Sequence, residues 1–189
     1  YRMDMLTAMS GGTSLQRLTA LLEDAFADQS VSTIVLRFET PGGSVDGLTE
    51  MAGRIREMRG RGTKRVIAAI DVRALSAGYW LASQCDEISC TPSGYAGSVG
   101  VYMMHVDQSK SLETDGIKVS LVSAGKYKTE FSPMAPLSEE ALGYAQQQVN
   151  ETYDRFLGAL KRNRNTSLDD VRQNYGQGRV LSAPRALAA

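Results

Sequence analysis

Several large functional classes are excluded by what this chain has little of. Among its 189 residues are two cysteines, one histidine, one tryptophan and five prolines. Cys85 and Cys90 stand five positions apart across a predicted strand, which fits neither a metal-ligand spacing nor a disulfide framework. Both are read as buried free thiols acting as small apolar side chains. One histidine and scattered carboxylates leave no metal set, and no cofactor is expected. No apolar run approaches the ~20 residues of a membrane helix, and the opening Tyr1-Arg2-Met3-Asp4 is no signal peptide. Neither sign of charge is in excess: Lys plus Arg and Asp plus Glu both total 21, so neither nucleic acid nor an anionic membrane is an expected partner.

What is present suits one domain. A hydrophobic content of 42% over this length fills a single core, and the length argues against two full domains. The chain starts without methionine and stops in Ala186-Leu187-Ala188-Ala189, an apparent helix start. The expectation is therefore one domain over residues 1–189, truncated at one or both ends, with any targeting elements outside it.

Periodicity gives the element order. Thr13-Ser14 precede a helix-period stripe of Leu15, Leu18, Leu22 and Ala25, so a helix should run to about Asp28. Val31 to Phe38 is a β-branched strand ending in Pro41-Gly42-Gly43, after which Leu48, Met51, Ile55 and Met58 mark one face of a helix. Arg65 to Val72 is a second strand, followed by Ser76 and the apolar helical turn of Tyr79, Trp80 and Leu81. Further strands are expected over Glu87 to Cys90, Val99 to Val106 and Ile117 to Val122, with Thr91 to Gly97 a turn-rich stretch and Asp107 to Gly116 a helix closed by glycine. A long helix should cover Ser138 to about Arg164, and Thr166-Ser167-Leu168-Asp169-Asp170 supplies a capping-box-like start for a short one. Strand-helix alternation of this kind points to an α/β domain with its active loops at the carboxyl ends of the strands.

Those loops hold the chemistry. A serine hydroxyl is a poor nucleophile and needs a base to take its proton and backbone donors to hold the oxyanion. Ser76 precedes a helix, so the Ala77 amide lacks an intrahelical acceptor, and Gly43 lets a backbone amide come close to a substrate, with Gly42 the lesser donor. A lysine serves as base when apolar neighbours depress its pKa. Lys128, among Tyr127, Phe131 and Met134, and Lys126 both qualify on sequence alone, and the Ser98 hydroxyl could orient either amine. Taken singly, a Pro-Gly-Gly-Ser turn is ordinarily just a turn and a serine before a helix ordinarily just a cap. The ordered combination is what points to a hydrolase.

In that combination the chain resembles the signal peptide peptidase A family and its phage branch, the lambda-type head (capsid) maturation proteases. The motifs, in the family's order, are Pro41-Gly42-Gly43, Ser76-Ala77-Gly78-Tyr79, Gly97-Ser98-Val99-Gly100 and Tyr127-Lys128, and the resemblance runs from about Gly11 to the end. It implies an α/β Clp protease/crotonase-like fold with repeated β-β-α units. It also implies a cofactor-independent serine endopeptidase with Ser76 as nucleophile, Lys128 as base, Ser98 orienting the lysine, and Gly43 and Ala77 as the oxyanion hole. Extended polypeptide would pair beside Gly42-Gly43 and Val99-Gly100. Val101 to Asp107 and Ser123 to Glu130 look more like the phage branch. That setting implies scaffold and capsid-protein tails as substrates, in host cytoplasm or prohead; the alternative is a membrane-associated bacterial enzyme acting on remnant signal peptides. A homo-oligomeric ring, an octamer by resemblance, with the dyad shared between protomers is expected. One departure is the absence of the strand usual before Gly11-Gly12-Thr13. Three other readings compete: a Clp-like pair of Ser76 with His105, a crotonase-type acyl-coenzyme A enzyme, and a non-catalytic assembly protein.

Overall fold

The computed structural model describes residues 12–188; the expectations for Tyr1 to Asp4, for the strand missing before Gly11 and for Ala189 lie outside them. The first of two units comprises the residues up to Gly100 together with those from Asp154 onward. It opens with helix α1 (Leu15–Ala27), started as expected by Ser14, whose hydroxyl accepts the Arg17 N–H at 3.2 Å. α1 lies on α2 (Leu48–Gly60) through Thr19 against the Met51 sulfur and through a Glu23–Arg54 ion pair. The expected α2 stripe of Leu48, Met51, Ile55 and Met58 is buried, together with Ala52. Each large side chain so buried contributes roughly 1.5–3 kcal/mol.

Between these helices runs β1 (Thr33–Thr40), and β2 (Arg65–Leu75), β3 (Glu87–Cys90), β4 (Tyr95–Gly97) and β5 (Val180–Ser182) complete a mixed α/β sheet of five strands. The order is β1-β2-β4-β5, with β3 also on β2; all pairs are parallel except β4 with β5. This is consistent with the Clp protease-like fold. The strand β2 carries an irregularity that matters for the site. Ile70 pairs with Phe38 and Cys90, but the next paired residue is Arg73, opposite Glu39 and Tyr95. Asp71 and Val72 are looped out of register, held by Arg37 on the Asp71 carboxylate (2.7 Å) and by the Thr91 hydroxyl donating to the Asp71 carbonyl (2.6 Å). At this bulge β2 changes partner from β3 to β4.

Helix α3 (Ala77–Ala82) follows directly, with Trp80 stacked on Phe156 at 4.6 Å between ring centroids. Phe156 belongs to α5 (Glu139–Arg164), whose Phe156, Leu157, Ala159 and Leu160 are all buried. Buried Gln84 donates to the Trp80 carbonyl and the Ser83 hydroxyl, both at 2.8 Å, and accepts from Asn163. α6 (Leu168–Asn174) is capped by Ser167, and α7 (Ala183–Leu187) ends the unit.

The second unit, Val101–Tyr153, contains α4 (Ser109–Thr114) and the first part of α5. Gly116 closes α4 at φ 69° as expected, over a shorter span than Asp107 to Gly116. The strands expected over Val99 to Val106 and Ile117 to Val122 do not form: neither stretch pairs with a neighbour. A β-prone run expresses the capacity to pair, and a ladder needs a partner that the single chain does not offer. The turn-rich stretch expected before them instead contributes β4, and the final helix begins at Ala183, earlier than Ala186.

Both cysteines are free, Cys85 fully buried and Cys90 half-buried. Burial, then the Asp86 carboxylate, pushes the Cys85 thiol up to about 12 from 9.0; burial, then Tyr175, pushes the Tyr79 hydroxyl to about 12 from 10.0. The unfolded chain ionises at the ordinary values, so their contribution is intact below pH 9 and is lost between pH 9 and about 12. Urea midpoints should fall across that window, and Cys85→Ala, though less stable at pH 7, should show a shallower alkaline decline. A Cys85→Ala slope equal to the parent's would contradict this assignment.

Candidate active site

Ser76 joins the end of β2 to the start of α3 in a conformation that L residues avoid, φ 51° and ψ −121°. Such a backbone costs about 1–3 kcal/mol and persists only where its surroundings impose it. They do so from both sides. The Ser76 N–H donates to the Gly97 carbonyl at 2.9 Å, and the Ser76 carbonyl accepts the Trp80 N–H at 2.9 Å as the first bond of α3. The half-buried serine thus sits at a sharp strand-to-helix turn with the Ala77 amide, first in the helix, free of the helical ladder.

The Pro41-Gly42-Gly43 loop leaves β1 next to this turn. A Cβ on Gly42 would lie 2.8 Å from the Ser76 Cβ and 3.4 Å from the Ala77 nitrogen, so a side chain is excluded there, and φ at Gly42 is 113°. Its N–H donates to the Thr40 hydroxyl at 3.1 Å and is therefore occupied. Gly43 is exposed, and a Cβ there would meet nothing within 4 Å. The structure therefore brings Gly42, Ser76 and Ala77 together and leaves open space at Gly43.

The third loop follows β4. Gly97, at φ 101°, holds the Ser76 N–H; Ser98, at φ 53°, donates its own N–H to the Arg179 carbonyl at 2.8 Å. Val99 is buried and Gly100 lies against Gly178, whose Cα would be 3.4 Å from an added Cβ. Arg179 and Gly178 were not anticipated, because no local pattern joins them to a loop some eighty residues earlier.

Lys126, Lys128 and His105 belong to the second unit. Lys126 donates to the Tyr127 hydroxyl at 2.7 Å and to Glu140 at 3.2 Å, and the Tyr127 hydroxyl donates to Glu140 at 2.8 Å. The Tyr127 hydroxyl first, then Glu140, holds the Lys126 ammonium above its ordinary value, the wrong direction for a base. Lys128 is exposed and has no side-chain partner among the described residues. His105 stands in irregular chain, not in a strand interior, with Nε2 3.1 Å from the Ser132 carbonyl. A carbonyl only accepts, so that nitrogen carries the proton.

The model for peptidase family S49 matches residues 59–189, well over half of the chain. The chain belongs to this family. It is 32% identical over 151 residues to capsid assembly protease C of Escherichia phage lambda, covering 80% of this chain and 34% of that protein. A protein of Methanocaldococcus jannaschii named as a candidate protease is 30% identical over 149 residues (79% and 47%), and protease 4 of Haemophilus influenzae is 29% identical over 171 residues (90% and 27%). The chain thus spans between about a quarter and a half of the length of these relatives. The matched span contains Ser76, Ser98, Lys126 and Lys128, while the Gly42-Gly43 loop precedes it. The expected membership in the signal peptide peptidase A family of serine peptidases is thereby met.

The Gly42 loop carries a steric test. Gly42→Ala must move Ser76 and adopt a disfavoured φ, and should lower stability by about 2 kcal/mol or more. Gly53, inside α2 with open space around it, is the control: Gly53→Ala should raise stability by roughly 0.5–1 kcal/mol. Urea denaturation of both variants checks the pair, and an unchanged Gly42→Ala midpoint would contradict the contact.

Proposed function

We propose that this chain is the peptidase region of a serine endopeptidase in which Ser76 attacks and Lys128 is the base. The observation that carries the reading is the Ser76 turn: a strained serine pinned by Gly97, with the Gly42 backbone packed against it and the Ala77 amide free of the helical ladder. Ser76 Oγ would bond to the scissile carbonyl carbon as its proton passes to neutral Lys128 Nζ. The oxyanion would be held by the Gly43 and Ala77 N–H groups. Collapse breaks the C–N bond, and the leaving amine takes the proton from Lys128. Water, deprotonated by Lys128 Nζ, then attacks the ester carbonyl carbon, the C–O bond to Ser76 breaks, and Lys128 returns the proton to Ser76 Oγ. Ser98 would orient the lysine.

Lys128 is favoured over Lys126 because Lys126 is held as a cation by Tyr127 and Glu140. His105, with Nε2 committed to Ser132, is the weaker alternative. Neutral lysine requires a dry environment, and Lys128 is exposed in the single chain. So are Tyr102 (86%), Met104 (75%), Val122 (98%), and Leu142 and Tyr144 on α5. Apolar surface of this extent fits a covering partner, and a second copy of the chain, in a ring with Ser76 and Lys128 from different protomers, accounts for both facts. Octameric closure rests on resemblance alone.

The substrate class that fits is extended polypeptide, laid beside Gly42-Gly43 and Val99-Gly100. The relative named a capsid assembly protease supports scaffold and capsid-protein tails in a prohead; the cellular alternative of signal-peptide remnants rests on the family resemblance. No helix among the described residues is long and apolar enough to cross a membrane. Neighbouring genes for portal and capsid proteins would decide between the two settings.

Ser76→Ala should abolish peptide hydrolysis and labelling by a fluorophosphonate, with the fold retained by circular dichroism. Lys128→Ala should slow turnover about 10²–10⁴-fold, while Lys126→Ala and His105→Ala stay within a few-fold, and the rate should rise toward alkaline pH. A dead His105→Ala beside an active Lys128→Ala would reverse the assignment.

Mixing inactive Ser76→Ala and Lys128→Ala chains should restore part of the activity if the dyad is shared. No rescue after demonstrated subunit exchange, or a fully active monomer in sedimentation, would refute sharing.

A further inference from the structure

We infer that Thr40, the last residue of β1, is a positioning residue that aims the Gly43 amide at the reacting centre; this rests on the serine peptidase reading. Thr40 is half-buried and touches both halves of the site. Its hydroxyl accepts the Gly42 N–H at 3.1 Å and lies 3.3 Å from the Gly42 carbonyl, to which it donates. Its methyl faces α3: a Cβ added to Gly78 would come within 2.3 Å of the Thr40 Cγ2.

The consequence follows from peptide planarity. The Gly42 carbonyl and the Gly43 N–H belong to one peptide unit, and in a trans peptide they point in opposite directions. A hydroxyl that holds the carbonyl therefore fixes where the N–H points, away from Thr40. Among the described residues no other group bonds to the Gly42 carbonyl, and Gly43 itself is exposed. Without the Thr40 hydroxyl the Gly42-Gly43 peptide is free to rotate, which glycines on both sides make easy, and the amide leaves the oxyanion. The methyl has a separate task, setting the height of the loop against Gly78 and so against Ser76.

The two tasks separate by substitution. Thr40→Val keeps the methyl contact and removes both hydrogen bonds; Thr40→Ser keeps the hydroxyl and removes the methyl. Peptide hydrolysis by the assembled full chain is to be measured together with an endpoint titre of fluorophosphonate-reactive Ser76, which counts folded sites independently of their rate. Thr40→Val should keep the titre and the KM within about threefold while kcat per titrated site falls at least tenfold, toward the 10²–10³-fold loss typical of a missing oxyanion donor. Thr40→Ser should keep most of kcat. Parental kcat in Thr40→Val, or an equal loss in Thr40→Ser, overturns the inference, as does a loss confined to the titre or to KM. If the parent chain is not labelled at Ser76, the peptidase reading fails instead, and this inference with it.

Discussion

The level at which β1 and β2 end, relative to one another, is the constraint on which the site depends. Thr40 pairs with Ala74, so Gly42 and Ser76 each stand two residues beyond the last shared pair and are level. Had the pairing of Phe38 with Ile70 continued unbroken, Thr40 would face Val72 and Ser76 would overshoot by two residues, about 7 Å at the rise of a strand. The looped-out Asp71 and Val72, fastened by Arg37 and Thr91, absorb that difference. Adjacent strands lie only about 4.8 Å apart, so two chains turning at the same height collide unless one lacks a side chain. Glycine at position 42 is the answer to that collision, and the bulge is what creates it.

The same geometry explains how a strained serine is kept. Its positive φ turns the chain sharply enough for α3 to begin at once, and α3 is anchored on its far side by Trp80 stacked on Phe156 and by Gln84 joined to Asn163. Trp80, Phe156 and Gln84 are deeply buried, and the stacked rings hold the helix in one place. The backbone cannot relax at Ser76 without displacing either this anchor or the Gly97 carbonyl. Strain at the turn is therefore sustained by packing behind it, the half-buried Ser76 resting on the buried Gly97 and Trp80.

Elements whose signal is local were legible in the sequence. The stripe of Leu48, Met51, Ile55 and Met58, the caps at Ser14 and Ser167 and the glycine loops before and after Ser76 each lie within a few residues of their cause. The bulge in β2, the three-residue strands β4 and β5, and the Arg179 carbonyl that fixes Ser98 depend on pairings between distant stretches, which no local period encodes. Thr40 was passed over because its role is visible only when Gly42 and Gly78 are seen on either side of it. The strands expected at Val99 to Val106 and Ile117 to Val122 failed for the converse reason: the composition was right, but pairing is a property of two segments.

That failure bears on the choice of base. The apolar residues of Val101–Tyr153 are largely uncovered, with only Ala141 and Ala145 deeply buried among them, and Lys128 is uncovered in the same stretch. A lysine takes a proton from serine only as the neutral amine, a form that removal from water favours. Under the proposed reading, one event, the covering of this stretch by another copy, would remove apolar surface from water and strip Lys128 of its hydration. Catalytic competence would then be linked to assembly through desolvation alone, without a conformational switch: the hydrophobic effect would supply the free energy that a neutral lysine requires. Under that reading Lys126, already satisfied by Tyr127 and Glu140, would gain nothing from the same event, and this would be the physical reason for Lys128 rather than Lys126 to act as the base.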